Sequence, residues 1–183
     1  MSKQKDFVKF ENVDKSYDGK VLVVKNLQLD IAEGEFITML GPSGSGKSTL
    51  LNLLFGYLEL IRGSVRFKQM DLVSKKPEEM GSLGITFCPQ ERVVFGGLSV
   101  LENLILMRSN RDITHLEKYF EHFPILAERL SQDAGTLSGG ERKILSFVRA
   151  LSEGRELLML DEPTEGVQRE NILHIAKLIS ERK

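Results

Sequence analysis

Alternating apolar and polar positions mark strands in the first third of the chain. Residues 7–13 and 21–31 alternate on either side of an Asp18-Gly19 turn, and residues 63–67 repeat the pattern. A period of two is typical of strands that bury one face. These segments predict an antiparallel β subdomain.

Three mostly apolar runs predict buried strands. They cover residues 36–40, 83–88 and 157–160. The last of them is entirely apolar, as expected of a strand that is covered on both faces. Such strands favour an α/β fold with a central sheet.

The apolar spacing becomes helical between residues 99 and 129. Val100, Leu101, Leu104 and Ile105 recur at intervals of three and four, and the same spacing continues further along. This predicts a helical subdomain at about residues 96–150, inserted into the α/β part. Further helices are predicted at residues 48–55 and 169–182.

A glycine-rich loop follows the predicted strand at residues 36–40. It reads GPSGSGKST and matches the Gly-x-x-x-x-Gly-Lys-Ser pattern of a phosphate-binding loop. Its glycines let backbone N–H groups surround phosphate oxygens, Lys47 adds a positive charge, and Ser48 offers a hydroxyl to Mg²⁺. The predicted nucleotide-binding residues are Gly41, Pro42, Ser43, Gly44, Ser45, Gly46, Lys47, Ser48 and Thr49. Lys47 is also assigned a catalytic role.

Two adjacent acids end the run at residues 157–160. Asp161 is predicted to hold Mg²⁺, and Glu162 to polarise an attacking water as general base. The alternative is an Asp-Glu-Pro turn that only ends a strand. The phosphate loop argues against that alternative.

A third motif, LSGGE, begins a helix that runs to Leu151. Ser138 suits an N-cap, and Gly139 and Gly140 leave backbone N–H groups bare, which predicts a second anion site. Read alone, the same residues are an ordinary helix cap.

Together the three motifs resemble those of ABC-type ATPases, whose signature is LSGGE. The resemblance implies a P-loop NTPase (RecA-like) core, ATP and Mg²⁺ as cofactors, and one ABC ATPase domain over residues 1–183. It also implies a head-to-tail dimer, in which Ser138, Gly139 and Gly140 close over the γ-phosphate held by a second ATP-binding subunit, identical or different.

Two further residues stand at positions where the family has residues of known role. Tyr17 is implied to stack on adenine, and Gln90 to reach Mg²⁺ and the attacking water. An ordinary strand aromatic and a solvated loop amide are the alternatives.

Residues 123–129, 134–141 and 161–168 are similar to ATP-binding subunits of urea and branched-chain amino acid importers. This implies a cytoplasmic ATPase, peripheral on the inner face of the membrane, that powers transmembrane permease subunits. A groove for a cytoplasmic helix of a permease subunit would be lined by Val93, Val94 and Phe95. The alternative is that these residues pack inside the helical subdomain. A soluble ABC ATPase without a transport role and a catalytically impaired ATP-binding fragment remain alternatives.

Members of the family continue past the predicted C-terminal helix into a further strand and a switch residue, usually histidine. The chain has 183 residues and ends at Lys183. We therefore expect either a truncated or engineered piece of a longer subunit, or a chain whose remaining strands close up or recruit a partner strand. His174 lies too early to be the switch, and His115 and His122 are expected at the surface.

Composition excludes some classes of protein. A net charge of −1 argues against a nucleic-acid partner, and the single cysteine, Cys88, cannot form an intramolecular disulfide. No apolar run approaches the length of a membrane-spanning helix.

Overall fold

The computed structural model describes residues 6–91, 94–108 and 112–182. They form two compact units, and the boundary falls between Leu83 and Gly84. The phosphate loop belongs to the first unit. The carboxylate motif, Gln90 and the signature all belong to the second.

An antiparallel sheet dominates the first unit. Its strands are β1 Val8–Ser16, β2 Leu22–Ile31, β3 Arg62–Phe67 and β4 Met70–Asp71, in the order β2-β1-β3-β4. The helices of this unit are α1 Lys47–Leu54 and α2 Pro77–Met80. The predicted antiparallel β subdomain is therefore confirmed.

Alternation along β1 and β3 builds the core of the first unit. Val8 and Phe10 on β1 are buried, as are Val65 and Phe67 on β3. The ring of Phe7 packs edge-on against Phe67, with 5.0 Å between centroids. The polar positions between them face away, as a period of two requires.

The predicted buried strand at residues 36–40 is wrong. The segment belongs to neither sheet among the described residues, and Ile37 and Leu40 are 42% and 90% exposed. A buried strand needs neighbouring strands for its N–H and C=O groups. An apolar run shows that a segment can be buried, but it does not supply those neighbours.

A parallel strand pair lies at the centre of the second unit. β5 Ile85–Cys88 runs beside β6 Leu157–Leu160, with Ile85 opposite Leu157. Both strands were predicted, but burial of β6 on both faces is wrong, because only Met159 is fully buried. Described strands flank β6 on one side only.

Helices surround this pair. They are α3 Val100–Ile105, α4 Glu117–His122, α5 Pro124–Glu128, α6 Gly139–Ser152 and α7 Arg169–Glu181. A single apolar core joins them, with Phe147 of α6 and Ile175 of α7 fully buried. The predicted helical spacing is confirmed.

The histidines are less exposed than predicted. Both ring nitrogens of His115 are buried without a hydrogen-bond partner among the described residues, and burial lowers the pKa of this imidazole. His122 lies 3.0 Å, Nδ1 to Nδ1, from His174 of α7. Both side chains help to join α4 to α7.

Candidate active site

The phosphate loop is shaped by its glycines. Gly44 and Gly46 have φ of 80° and 92°, in the left-handed region that favours glycine, and α1 begins directly after Gly46. Gly41 lies close to another loop residue. A Cβ there would lie 2.6 Å from Ser45 Oγ and 3.2 Å from Ser45 Cβ, so the Ser45 side chain would have to turn away.

Lys47 folds back onto this loop. Its ammonium donates to the carbonyl oxygens of Gly41 and Pro42, at 2.9 and 3.0 Å. These bonds hold a positive charge beside exposed backbone N–H groups at the start of α1. The loop residues therefore fit a nucleotide phosphate, which would replace neutral carbonyls as the partner of the ammonium.

Tyr17 lies in the same unit as the loop. Its ring is 63% exposed, and its hydroxyl is 3.0 Å from Thr49 Oγ1 on α1. Lys15 Nζ lies 5.4 Å from the ring centroid. The Tyr17 hydroxyl is thus hydrogen-bonded to α1, while much of the side chain remains exposed to solvent. The sequence did not predict this hydrogen bond.

The two motif acids have different surroundings. The backbone N–H of Asp161 donates to the carbonyl of Cys88 at 2.9 Å, which extends the β5–β6 ladder and buries Asp161. Glu162 is exposed and has φ of 48°, an uncommon conformation for a residue with a Cβ. This conformation lies at the start of the turn in which the Glu165 N–H donates to the Glu162 carbonyl at 3.2 Å.

Gln90 contacts Glu162 directly. Its side-chain nitrogen donates to Glu162 Oε2 at 3.1 Å and to Glu165 Oε2 at 2.9 Å. The family resemblance implies that Gln90 reaches Mg²⁺ and the attacking water, but it assigns no role to Glu165. The available signal was its spacing, because the Glu162–Glu165 turn brings the two side chains to one side.

The signature forms a complete helix cap. Ser138 Oγ accepts from the N–H of Glu141 at 3.3 Å, and the Glu141 carboxylate accepts from the N–H of Ser138 at 2.8 Å. This backbone bond lowers the pKa of Glu141. The predicted N-cap is confirmed.

Gly140 makes the closest approach at the signature. A Cβ on Gly140 would lie 2.8 Å from the carbonyl oxygen of Gly166, in the loop after the carboxylate motif, whereas a Cβ on Gly139 would meet nothing within 4 Å. Gly140 is therefore needed for packing. Gly139 leaves the first turn open to solvent.

The motifs of this site lie within a known family profile. The sequence profile of the family described as "ABC transporter" matches residues 24–165. The chain belongs to this family. Phosphate loop, Gln90 and signature all lie inside the matched part.

Several curated relatives share the cassette. The chain is 36% identical to the high-affinity branched-chain amino acid transport ATP-binding protein BraG of Pseudomonas aeruginosa, over 91% of this chain and 73% of the relative. It is 36% identical to the probable branched-chain amino acid transport ATP-binding protein LivF of Archaeoglobus fulgidus, over 78% of this chain and 62% of the relative. It is 30% identical to the lipopolysaccharide export system ATP-binding protein LptB of Acidithiobacillus ferridurans, over 95% and 74%.

Solved cassettes have the same fold. The ATP-binding cassette MJ1267 of an ABC transporter superposes with a TM-score of 0.76 at 27% identity, covering 96% of this chain and 76% of the cassette. The predicted P-loop NTPase fold is confirmed. The protein is an ATP-binding ABC-type ATPase subunit of a transporter, which implies membrane permease partners.

Within residues 6–91, 94–108 and 112–182, no helix combines the length and the hydropathy that a membrane span needs. None of the described His, Cys, Asp and Glu side chains gather in threes as a metal cluster. Mg²⁺ in nucleotide sites is held by few protein ligands together with phosphate oxygens, and a carboxylate such as that of Asp161 is the ligand type it takes.

Proposed function

We propose that the protein hydrolyses Mg-ATP as one subunit of a dimer and powers import of a urea or amino-acid-like solute. The observation that carries the proposal is the contact between Gln90 Nε2 and Glu162 Oε2 at 3.1 Å. A candidate general base is thereby tied to a residue that can orient a water. The branched-chain amino acid relatives support the solute class.

The loop residues bind the nucleotide in this proposal. Residues from Gly41 to Thr49 hold the phosphates, with Lys47 as the charged donor, and the exposed ring of Tyr17 stacks on adenine. Ser48, Gln90 and Asp161 are the proposed Mg²⁺ ligands. When bound, Mg²⁺ neutralises charge that develops on the phosphates during transfer.

Glu162 is the proposed general base. It is exposed, so a water can reach its carboxylate. Gln90 donates one hydrogen bond to that carboxylate and can orient the water with its other polar atom.

The signature serves a second ATP-binding subunit. Ser138 and Gly139 are exposed, and the first N–H groups of a helix have no partner within the helix. Because an oxyanion is favoured at such a helix start, Ser138, Gly139 and Gly140 would contact the γ-phosphate held by the partner subunit. One chain then supplies half of each ATP site.

Phe95 is the proposed contact with a permease. Its ring is 55% exposed, while Asn103 accepts from the Phe95 N–H at 2.9 Å and donates to the Phe95 carbonyl at 3.0 Å. The buried amide thus fixes the backbone, and the part-exposed ring has the Arg149 guanidinium 5.6 Å from its centroid. Val94 packs against the helical core, and Val93 lies outside the described residues.

The dimer proposal is tested by mass measurement in solution. With Mg²⁺ and ATP, we expect Glu162→Gln to accumulate as a dimer, because nucleotide binds but is not hydrolysed. Lys47→Ala should stay monomeric under the same conditions. A Glu162→Gln protein that binds ATP yet remains monomeric would contradict head-to-tail dimerisation.

A further inference from the structure

We propose that Glu165 and Lys143 are positioning residues that hold Gln90 at its two ends, Glu165 at the side chain and Lys143 at the backbone. The inference rests on the proposed function, in which Gln90 orients Mg²⁺ and the attacking water. Neither residue belongs to the three sequence motifs. Both lie in the second unit with Gln90.

The side-chain end is fixed by two carboxylates. A primary amide has two N–H donors, and here Glu165 and Glu162 each accept one, at 2.9 and 3.1 Å. The amide group is planar, so when both N–H groups donate to these acids the carbonyl oxygen is directed away from them. That oxygen is the atom of Gln90 able to bind a cation.

Glu165 makes this orientation unique. The terminal torsion of a glutamine side chain is broad and nearly two-fold, so a single acceptor at Glu162 leaves the amide free to turn. A second acceptor on the other N–H removes that freedom. Glu165 also shares the nitrogen with Glu162, so the candidate base does not hold the amide alone.

The backbone end is fixed by a buried charge. Lys143 is 5% exposed, and its ammonium donates to the Gln90 carbonyl oxygen at 2.7 Å. A charged donor makes a short, strong hydrogen bond, and a buried ammonium needs such a partner. The bond therefore holds the backbone at Gln90.

Lys143 also links two motifs. It lies in the second turn of α6, the helix that Ser138 caps. A displacement of the signature helix would move the Gln90 backbone through this bond. The glutamine is thus placed by the signature helix at one end and by the loop after the carboxylate motif at the other.

The first test observes Gln90 itself. In ¹H–¹⁵N spectra of nucleotide-free protein, the side-chain amide pair of Gln90 is assigned by its loss in Gln90→Ala. We expect Glu165→Ala to move this pair and Glu165→Gln, which keeps an acceptor, to move it less. Glu181→Ala, which removes an exposed carboxylate at the end of α7, should leave it unchanged. An amide pair that ignores Glu165→Ala overturns the inference.

The second test separates positioning from binding. Losing a hydrogen bond to a charged group corresponds to roughly a 10-fold effect, so we expect Glu165→Ala and Lys143→Met to lower kcat about 10-fold. ATP affinity should stay within about two-fold, because the phosphate loop is untouched. A loss of ATP affinity equal to the loss of kcat would mark a merely structural role and overturn the inference.

A third readout does not depend on turnover. Binding of Mn²⁺, in place of Mg²⁺, is measured by electron paramagnetic resonance with a non-hydrolysable ATP analogue. We expect Glu165→Ala to weaken it several-fold and Glu181→Ala to leave it unchanged. If the parent fails to hydrolyse ATP but shows this weakening, the proposed function fails and the positioning role stands. If turnover depends on Glu162 but neither Mn²⁺ affinity nor kcat responds to Glu165→Ala, the positioning role fails alone.

Discussion

The phosphate loop and the Gln90 region are built in opposite ways. In the loop, backbone atoms form the site, and the Lys47 ammonium donates to two loop carbonyls, those of Gly41 and Pro42. Around Gln90, side chains from three segments meet, with Glu162, Glu165 and Lys143 all hydrogen-bonded to it. The geometry of the phosphate loop therefore depends on backbone conformation, whereas the geometry around Gln90 depends on each of the side chains that bond to it.

The largest effect should come from the single charge of the loop. Lys47→Ala removes the ammonium that would meet the phosphates, and two charge-assisted hydrogen bonds correspond to roughly a 100-fold loss of ATP affinity. Equilibrium binding of a fluorescent ATP analogue measures it. The fold should be unaffected, since among the described residues Lys47 donates hydrogen bonds only to these loop carbonyls. A small loss would mean that the backbone alone binds the nucleotide.

A smaller effect is expected from one glycine in the signature. Gly140→Ala places a Cβ 2.8 Å from the Gly166 carbonyl oxygen, and overpacking of this kind costs about 1–3 kcal/mol. At roughly 2–4 °C per kcal/mol, thermal unfolding should shift down by several degrees.

Gly139→Ala is the matched control for this glycine. Its added Cβ meets nothing within 4 Å, so stability should hardly change. Equal shifts for both variants would show that helix propensity or local strain, and not the approach to Gly166, governs this position.

The smallest effect concerns the hairpin turn beside Tyr17. The Asp18 carboxylate accepts from the N–H groups of Val21 and Lys20, which lowers its pKa from 3.8 to about 2. Because the pKa of Asp18 is lower in the folded than in the unfolded state, the ionised carboxylate stabilises the folded state at pH values above the unfolded pKa. The contribution is thus complete above pH 3.8 and is lost as the pH falls through about 2.

Carboxyl NMR measures this titration directly. Asp18→Asn identifies the signal and should remove the corresponding pH dependence of unfolding. A signal that titrates near 3.8 would mean that the turn is open in solution.

Sequence patterns predicted what depends on local chain geometry. The GPSGSGKST spacing located a loop with left-handed glycines, and LSGGE located a Ser138 cap. Both are determined by neighbouring residues, which a pattern records directly. The antiparallel strands were found for the same reason.

Features that depend on distant residues were not predicted. Residues 36–40 have the composition of a buried strand but no strand neighbours in the described structure. Glu165 and Lys143 reach Gln90 across separations of 75 and 53 residues. Only the fold brings such side chains together, so composition and spacing could not identify them.

The most informative experiment is parallel measurement of ATP affinity and ATP turnover on Lys47→Ala and Glu162→Gln. In the proposed function the loop binds nucleotide and Glu162, with Gln90, activates the water that hydrolyses it. We expect Lys47→Ala to lose both properties, and Glu162→Gln to keep affinity while turnover falls by about 10² to 10⁴. A Glu162→Gln protein that still turns over ATP at the parent rate would contradict the assignment of the general base.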